Sequence, residues 1–183
     1  MRRKKEWVIT WDPQTLKRCI DDLEAYAREL DWKCERFRWK VAELIANAAR
    51  KGFNGAIVDD LTQETQDATG EGPREAHVDV TVEWDGDGAL VVASGEDAVW
   101  IEFGAGVFHN GAVGSSPNPL SAQNGLDFKI GTYGVNGVKE KWAFNEDGQT
   151  LWSYGTPAGM PMYKAIMAAI PQIADIAREV FQA

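Results

Sequence analysis

DPQTLKRCIDDLEAYARELDWKCERFRWKVAELIANAARKG, residues Asp12 to Gly52, is the stretch that decides how this chain folds. Its apolar positions are Leu16, Ile20, Leu23, Ala27, Leu30, Cys34, Phe37, Val41, Leu44 and Ala48, with spacings that alternate four and three without a break. A strand repeats every two residues and cannot produce that pattern, so the stretch is helix. Asp12 is placed to cap the free amides at its start, and Pro13 suits the first helical position. Arg50 and Lys51 meet the negative end of the helix dipole, and Gly52 is expected to leave the helix in a left-handed turn.

A straight helix from Pro13 to Lys51 is about 58 Å long. A compact chain of 183 residues has a diameter of roughly 40 Å. The helix therefore either overhangs its own domain or breaks near Asp31, and an overhanging part needs another surface to cover its stripe. Trp32 and Trp39, one heptad apart on the face away from the main seam, are candidate contacts with a neighbouring subunit.

The whole chain has the composition of one globular domain, 44% apolar and 26% charged. Its formal net charge of -9 argues against a protein that holds nucleic acid by neutralising phosphates. A protein that DNA slides past is compatible with it. Cys19 and Cys34 lie too far apart along one helix to bond, and they read as reduced thiols, consistent with a cytoplasmic origin. No apolar run is long enough to span a bilayer, and the N-terminus lacks the apolar core of a signal peptide. Arg2 to Lys5 read as a solvated basic terminus before a short strand-like run, Trp7 to Thr10.

After Gly52, the segment from Ala56 to Thr69 is weakly patterned. Val78, Val80, Val82 and Trp84 alternate with polar residues, which predicts a strand with one buried face. Asp85-Gly86-Asp87-Gly88 turns the chain into Leu90 to Ala93, and Val99 to Phe103 alternates again as a third strand. Between Gly104 and Glu140 lie eight of the eighteen glycines and no apolar periodicity. A structureless connection of that length is uncommon inside a domain and marks a functional or flexible loop. Residues 107–140 are read as an inserted flexible loop in a single domain spanning 1–183, with Phe108 and Tyr133 as candidate partner contacts.

Asp147-Gly148 is a strong hairpin signal between Trp142 to Asn145 and Leu151 to Tyr154. Trp142 and Phe144 are expected to face Trp152 and Tyr154 as cross-strand aromatic pairs. Met162, Ile166, Ala169, Ile170, Ile173, Ile176, Ala177 and Val180 follow helical spacing, and Pro171 should kink or divide that helix. The fold class is α+β: a long N-terminal helix and a C-terminal helix packed on an antiparallel sheet, with a long glycine-rich loop.

No constellation in the sequence carries chemistry. Asp85, Asp87 and Glu96 fit a hairpin turn better than a calcium loop, because Leu90 stands where the sharp turn needs glycine. Two cysteines and two histidines in four separate places offer no zinc spacing. Gly104-Ala105-Gly106 is too short for a dinucleotide fingerprint. We therefore name no catalytic, cofactor-binding or metal residues. The principal alternative from composition alone is a small acid-catalysed hydrolase using two carboxylates near the glycine-rich loop. A regulatory binding module is a third class, and the lack of a basic patch beyond Arg2 to Lys5 disfavours direct DNA recognition.

Val99-Trp100-Ile101-Glu102-Phe103-Gly104-Ala105-Gly106, following a long helix and a few strands, resembles the motif of the tail-component, or neck, family of long-tailed bacteriophages. Members commonly show a hydrophobic-Glu-Phe-Gly-Thr-Gly run there, and Ala105 departs from the threonine. Gly155 to Ala165, with Pro161 before Met162, resembles the entry into that family's C-terminal helix. The resemblance implies a structural virion protein of the neck, tail-completion or tail-terminator kind, assembled in the host bacterial cytoplasm. It further implies a homo-oligomeric ring, six-fold or twelve-fold, that contacts neighbouring neck and tail-tube proteins while double-stranded DNA passes through. Glu102, Phe103, Gly104, Gly106 and Pro161 are the motif residues it singles out, as turn and joint residues without catalytic function. Gly104 and Gly106 are expected to serve a tight backbone turn.

Overall fold

The computed structural model describes residues 12–86, 88–104, 108–109, 112–113, 116–121, 123 and 141–182. Helix α1 runs unbroken from Pro13 to Phe53, 41 residues, or about 61 Å. Asp12 caps it as expected, its carboxylate accepting from the Thr15 amide at 3.1 Å. The exit differs from the sequence expectation. Gly52 stays helical, Asn54 is the C-cap with φ -62°, and the left-handed residue is Gly55 at φ 74°. Gly52 is small for another reason: a Cβ there would stand 2.7 Å from Cβ of Pro161, so its bare backbone is where a later helix lands.

Short elements follow: β1 (Ile57–Val58), α2 (Gln63–Thr69) and β2 (Arg74–Glu75). The weak pattern between Ala56 and Thr69 thus conceals a helix, capped by Thr62 and ended by Gly70 in the left-handed region. Strands β3 (Asp79–Trp84) and β4 (Ala89–Ser94) pair antiparallel around the expected turn, with Val80 opposite Ala93 and Val82 opposite Val91. Val80 is buried, while Trp84, at the strand end, is 43% exposed and off the core.

Val99 to Phe103 is not a strand. It forms helix α3 (Ala98–Phe103), and its buried residues are Ala98, Ile101 and Glu102, a helical spacing. Five residues of alternation are too short to separate the two periods. The burial of Glu102 rests on a partner 60 residues away.

Within the glycine-rich stretch, β5 (Phe108–His109) and β6 (Ala112–Val113) form a small antiparallel pair. Most of the 107–140 insertion, Tyr133 included, lies outside the described residues, as do Gly106 and the run from Trp7 to Thr10. Strands β7 (Trp142–Glu146) and β8 (Gln149–Ser153) form the hairpin that Asp147-Gly148 demands, both turn residues having positive φ. Its register sets Trp152 opposite Ala143, and Trp142 opposite Ser153, so the expected aromatic pairs do not form across the ladder. A one-residue shift in register exchanges the faces.

The last element divides at Pro171 into α4 (Pro161–Ala169), a 3-10 turn (Ile170–Gln172) and α5 (Ile173–Gln182). The architecture is α+β, with the described strands in four separate two-stranded antiparallel pairs in place of one sheet. The core centres on Ala46, Ala49, Phe53, Val80, Ile101 and Ala165. It uses a face of α1 one position round from the sequence seam: Ala42, Ala46 and Ala49 are buried, whereas Val41, Leu44 and Ala48 are half-buried. Alanine lets α4 approach closely, and alanines on both helices, Ala165 and Ala169 on α4, are what the contact buries.

Candidate functional site

The residues of the two sequence motifs meet at one carboxylate. Glu102, 6% exposed, sits near the end of α3 and points at the start of α4. Its Oε2 accepts from the Met162 amide at 2.7 Å, and its Oε1 from the Tyr163 amide at 3.0 Å. Those are the second and third residues of α4, whose amides have no partner within the helix. The residue at the capping position, Met160, has φ 55° and offers no side-chain bond. Glu102 therefore caps a helix distant in sequence, and its charge meets the positive end of the α4 dipole. The amides of Gly159 and Met160 both donate to the carbonyl of Ile101, at 2.7 and 3.3 Å, which fixes the approach of the two segments.

The same carboxylate anchors part of the glycine-rich excursion. Asn118, 2% exposed, donates from Nδ2 to Glu102 Oε1 at 2.8 Å, while its Oδ1 accepts from the Leu120 amide at 3.0 Å. Ser116 donates its hydroxyl to the Phe103 carbonyl and accepts from the Asn118 amide. Gly104, buried, turns the chain with φ 77° and ψ 161°. Of the motif residues, Glu102, Phe103, Gly104 and Pro161 thus form one joint. Sequence reading missed Asn118, whose only signal is its place between Pro117 and Pro119.

A second buried carboxylate precedes α3. Asp97, 4% exposed, takes both Arg74 guanidinium nitrogens at 2.6 and 2.8 Å and the His77 amide at 2.8 Å. The Arg74 hydrogen bonds, more than the opposing burial, hold the Asp97 carboxyl below the usual carboxylate range, and the same pairing raises Arg74. This pair borders a cleft of about 1150 Å³ whose walls include Glu71, Glu96, Glu146 and Trp100. Among the described residues, no group of three or more His, Cys, Asp or Glu side chains is placed to hold a metal ion. The two buried carboxylates are both occupied by structural donors. Each would have to give up its hydrogen bonds to act as a general acid, base or nucleophile.

Two of the candidate contact residues lie on the outside. Trp32 and Trp39 are 53% and 44% exposed. The Arg36 guanidinium lies 5.2 Å from the Trp32 ring centroid, a cation–π contact. Trp39 joins Glu35, Arg36 and Trp84 around a shallow hollow of about 420 Å³. Phe108 lies on β5, its backbone paired with Val113. Both cysteines are free thiols and half-buried on α1.

The N-terminal half of α1 is the most exposed apolar element described. Across residues 12–32 none is buried, and Lys33 is the first that is. Ile20, Leu23 and Leu30 are 54, 47 and 40% exposed. The covering helix α5 ends at Gln182, and Phe181 meets Phe37 at a ring-centroid distance of 6.0 Å. About 30 Å of α1 therefore projects beyond its partner. No helix among the described residues is long and apolar enough to cross a membrane. No protein-family model, curated protein or solved structure matches this chain.

Proposed function

We propose that this chain is a structural virion protein that assembles into a ring at the head–tail junction of a long-tailed bacteriophage, as a neck or tail-completion subunit. The observation that carries the reading is the unbroken α1, which projects about 30 Å past α5 with Ile20, Leu23 and Leu30 in solvent. These side chains are about half exposed, so a monomer forgoes roughly half of the 1.5–3 kcal/mol that full burial of each would give, and an assembly that covers the stripe recovers it. The joint at Glu102 supports the same reading, because it gives the two motifs of the resemblance one purpose: the carboxylate of the first caps the helix that begins in the second. The buried carboxylates serve structure, which favours assembly over hydrolysis. The net charge of -9 suits a lumen that repels phosphates and lets DNA pass.

Light scattering across a concentration range, followed by negative-stain imaging, tests the proposal. Closed rings, formed alone or with purified tail components, are the expected result. A chain that stays monomeric in both settings refutes it.

A further inference from the structure

Strand β4 presents an edge that no other described element closes. The Asp85 amide donates to the Gly88 carbonyl at 3.2 Å, which makes those two residues a hydrogen-bonded pair. Such pairs alternate along an antiparallel ladder, so Leu90, Val92 and Ser94 bond to β3, and Ala89, Val91 and Ala93 direct their N–H and C=O groups outward. Among the described residues, no backbone or side-chain group bonds to those outward groups. The outer edge of β3 differs, because Arg50 of α1 donates from Nε to the Val80 carbonyl at 2.8 Å. Protected edges carry charges, proline or a bulge. Ala89–Ser94 contains no charged residue, no proline and no glycine, and its register with β3 is continuous. An edge of that kind is a template for another strand.

We infer that the β4 edge receives the run from Trp7 to Thr10 of a second copy as an added strand. A strand placed there sets one face beside Val91 and Ala93, which pack on the core, and the other beside the exposed Leu90. The run offers apolar side chains to both, Trp7 and Ile9 on one face and Val8 on the other. Length excludes its own chain as the acceptor. Trp84 and Trp39 line one hollow and Ala89 lies opposite Trp84, so the near end of β4 sits beside residue 39 of α1. Asp12 is about 40 Å from there along the unbroken helix, whereas the chain from Trp7 to Asp12 spans at most about 18 Å. Charge favours this occupant over a second β4. Residues 1–11 carry Arg2, Arg3, Lys4 and Lys5 against Glu6. Acids stand beyond both ends of the acceptor strand, Asp85 before it and Glu96 after it, so the bases meet opposite charge in either strand direction. Arg74, the base near Glu96, is taken by Asp97. Two β4 strands paired antiparallel would instead bring Asp85 toward Glu96 at both ends, like charge against like. The contact joins unlike surfaces and serves an open chain as well as a ring, so it does not rest on the ring reading.

The test uses a fluorescently labelled peptide of residues 1–11 and the full chain carrying Val8→Pro and Ile9→Pro, which remove two donor amides and leave the β4 edge empty. Fluorescence anisotropy follows binding, and amide hydrogen exchange is read residue by residue by NMR. The peptide is expected to bind. The amides of Ala89, Val91 and Ala93 are expected to exchange at least about 10-fold more slowly once it does, while those of Leu90 and Val92, already bonded to β3, change little. Adding Ala89→Pro to that chain, at the first strand residue where proline is tolerated, or separately Leu90→Lys, is expected to weaken binding at least about 10-fold. Circular dichroism verifies folding, and the exposed Leu90 carries the test if the Ala89 variant unfolds. Binding without slowed exchange in β4 overturns the inference in favour of capture of the bases by an acidic surface. Slow exchange at Ala89, Val91 and Ala93 in the dilute proline variant before peptide is added also overturns it, because the chain then covers its own edge. Protection that grows with protein concentration despite the prolines overturns it in favour of β4 pairing with β4. No binding at about 1 mM peptide refutes it outright.

Discussion

Replacing Glu102 by alanine removes three hydrogen bonds at once, and the structure sets the size of the effect. Two belong to the start of α4, where loss of a cap costs about 0.5–2 kcal/mol. The third leaves the Asn118 amide group, 2% exposed, without its acceptor, at about 1–3 kcal/mol for an orphaned buried donor. Loss of the negative charge at the positive end of the α4 dipole adds up to about 2 kcal/mol in a partly buried setting. These contributions share atoms and do not add fully, so the expected loss is about 3–5 kcal/mol. In a domain of this size each kcal/mol lowers Tm by about 2–4 °C, which places the variant roughly 6–20 °C below the wild type. Glu102→Gln keeps the volume and one acceptor but turns an amide NH₂ toward a helix N-terminus, and about half the loss is expected. Thermal and urea unfolding followed by far-ultraviolet circular dichroism measure both. A Glu102→Ala variant within about 0.5 kcal/mol of the wild type would refute the account of Glu102 as the cap of α4.

Gly52→Ala sets two effects against each other. Helix propensity favours alanine by about 1 kcal/mol, but the new Cβ would stand 2.7 Å from Pro161, and overpacking of that kind costs about 1–3 kcal/mol. A net loss is expected in urea unfolding, and a more stable variant would show that α4 yields easily. Asp97, whose carboxyl is depressed in the folded state by Arg74, contributes stability that is complete above its unfolded pKa of about 3.9 and fades as pH falls through the lower folded value. Asp97→Asn should lose about 1–2 kcal/mol at pH 7, because the half-exposed Arg74 can rehydrate, and should flatten the stability profile below about pH 4; an unchanged acid limb in a pH series of urea melts would count against this. Trp32→Ala with Trp39→Ala should weaken subunit association while leaving the far-ultraviolet spectrum of the monomer intact, since both rings are largely in solvent. An unfolded double variant would contradict that placement.

Sequence alone determined the elements whose signals are local. The four-and-three spacing from Leu16 to Ala48, with Asp12 and Pro13 at its start, specifies α1, because a long run of one period has no strand alternative. Asp147-Gly148 specifies a two-residue hairpin because few residue pairs tolerate two positive φ values. Pro171 specifies the division of the C-terminal helix because it lacks an amide. What the tertiary structure decided is everything that depends on a distant partner. It turned Val99–Phe103 from strand to helix, since Glu102 gains three donors that five residues of pattern cannot announce. It moved the buried face of α1 to Ala42, Ala46 and Ala49, because α4 needs small residues to come close. It gave Gly52 its purpose as the seat of Pro161. The joint at Glu102 was legible as two motifs and not as one site, because the hydrogen bonds that unite them span 60 residues of sequence. Periodicity reports which face of an element is apolar; only packing decides which apolar face is covered and which stays exposed.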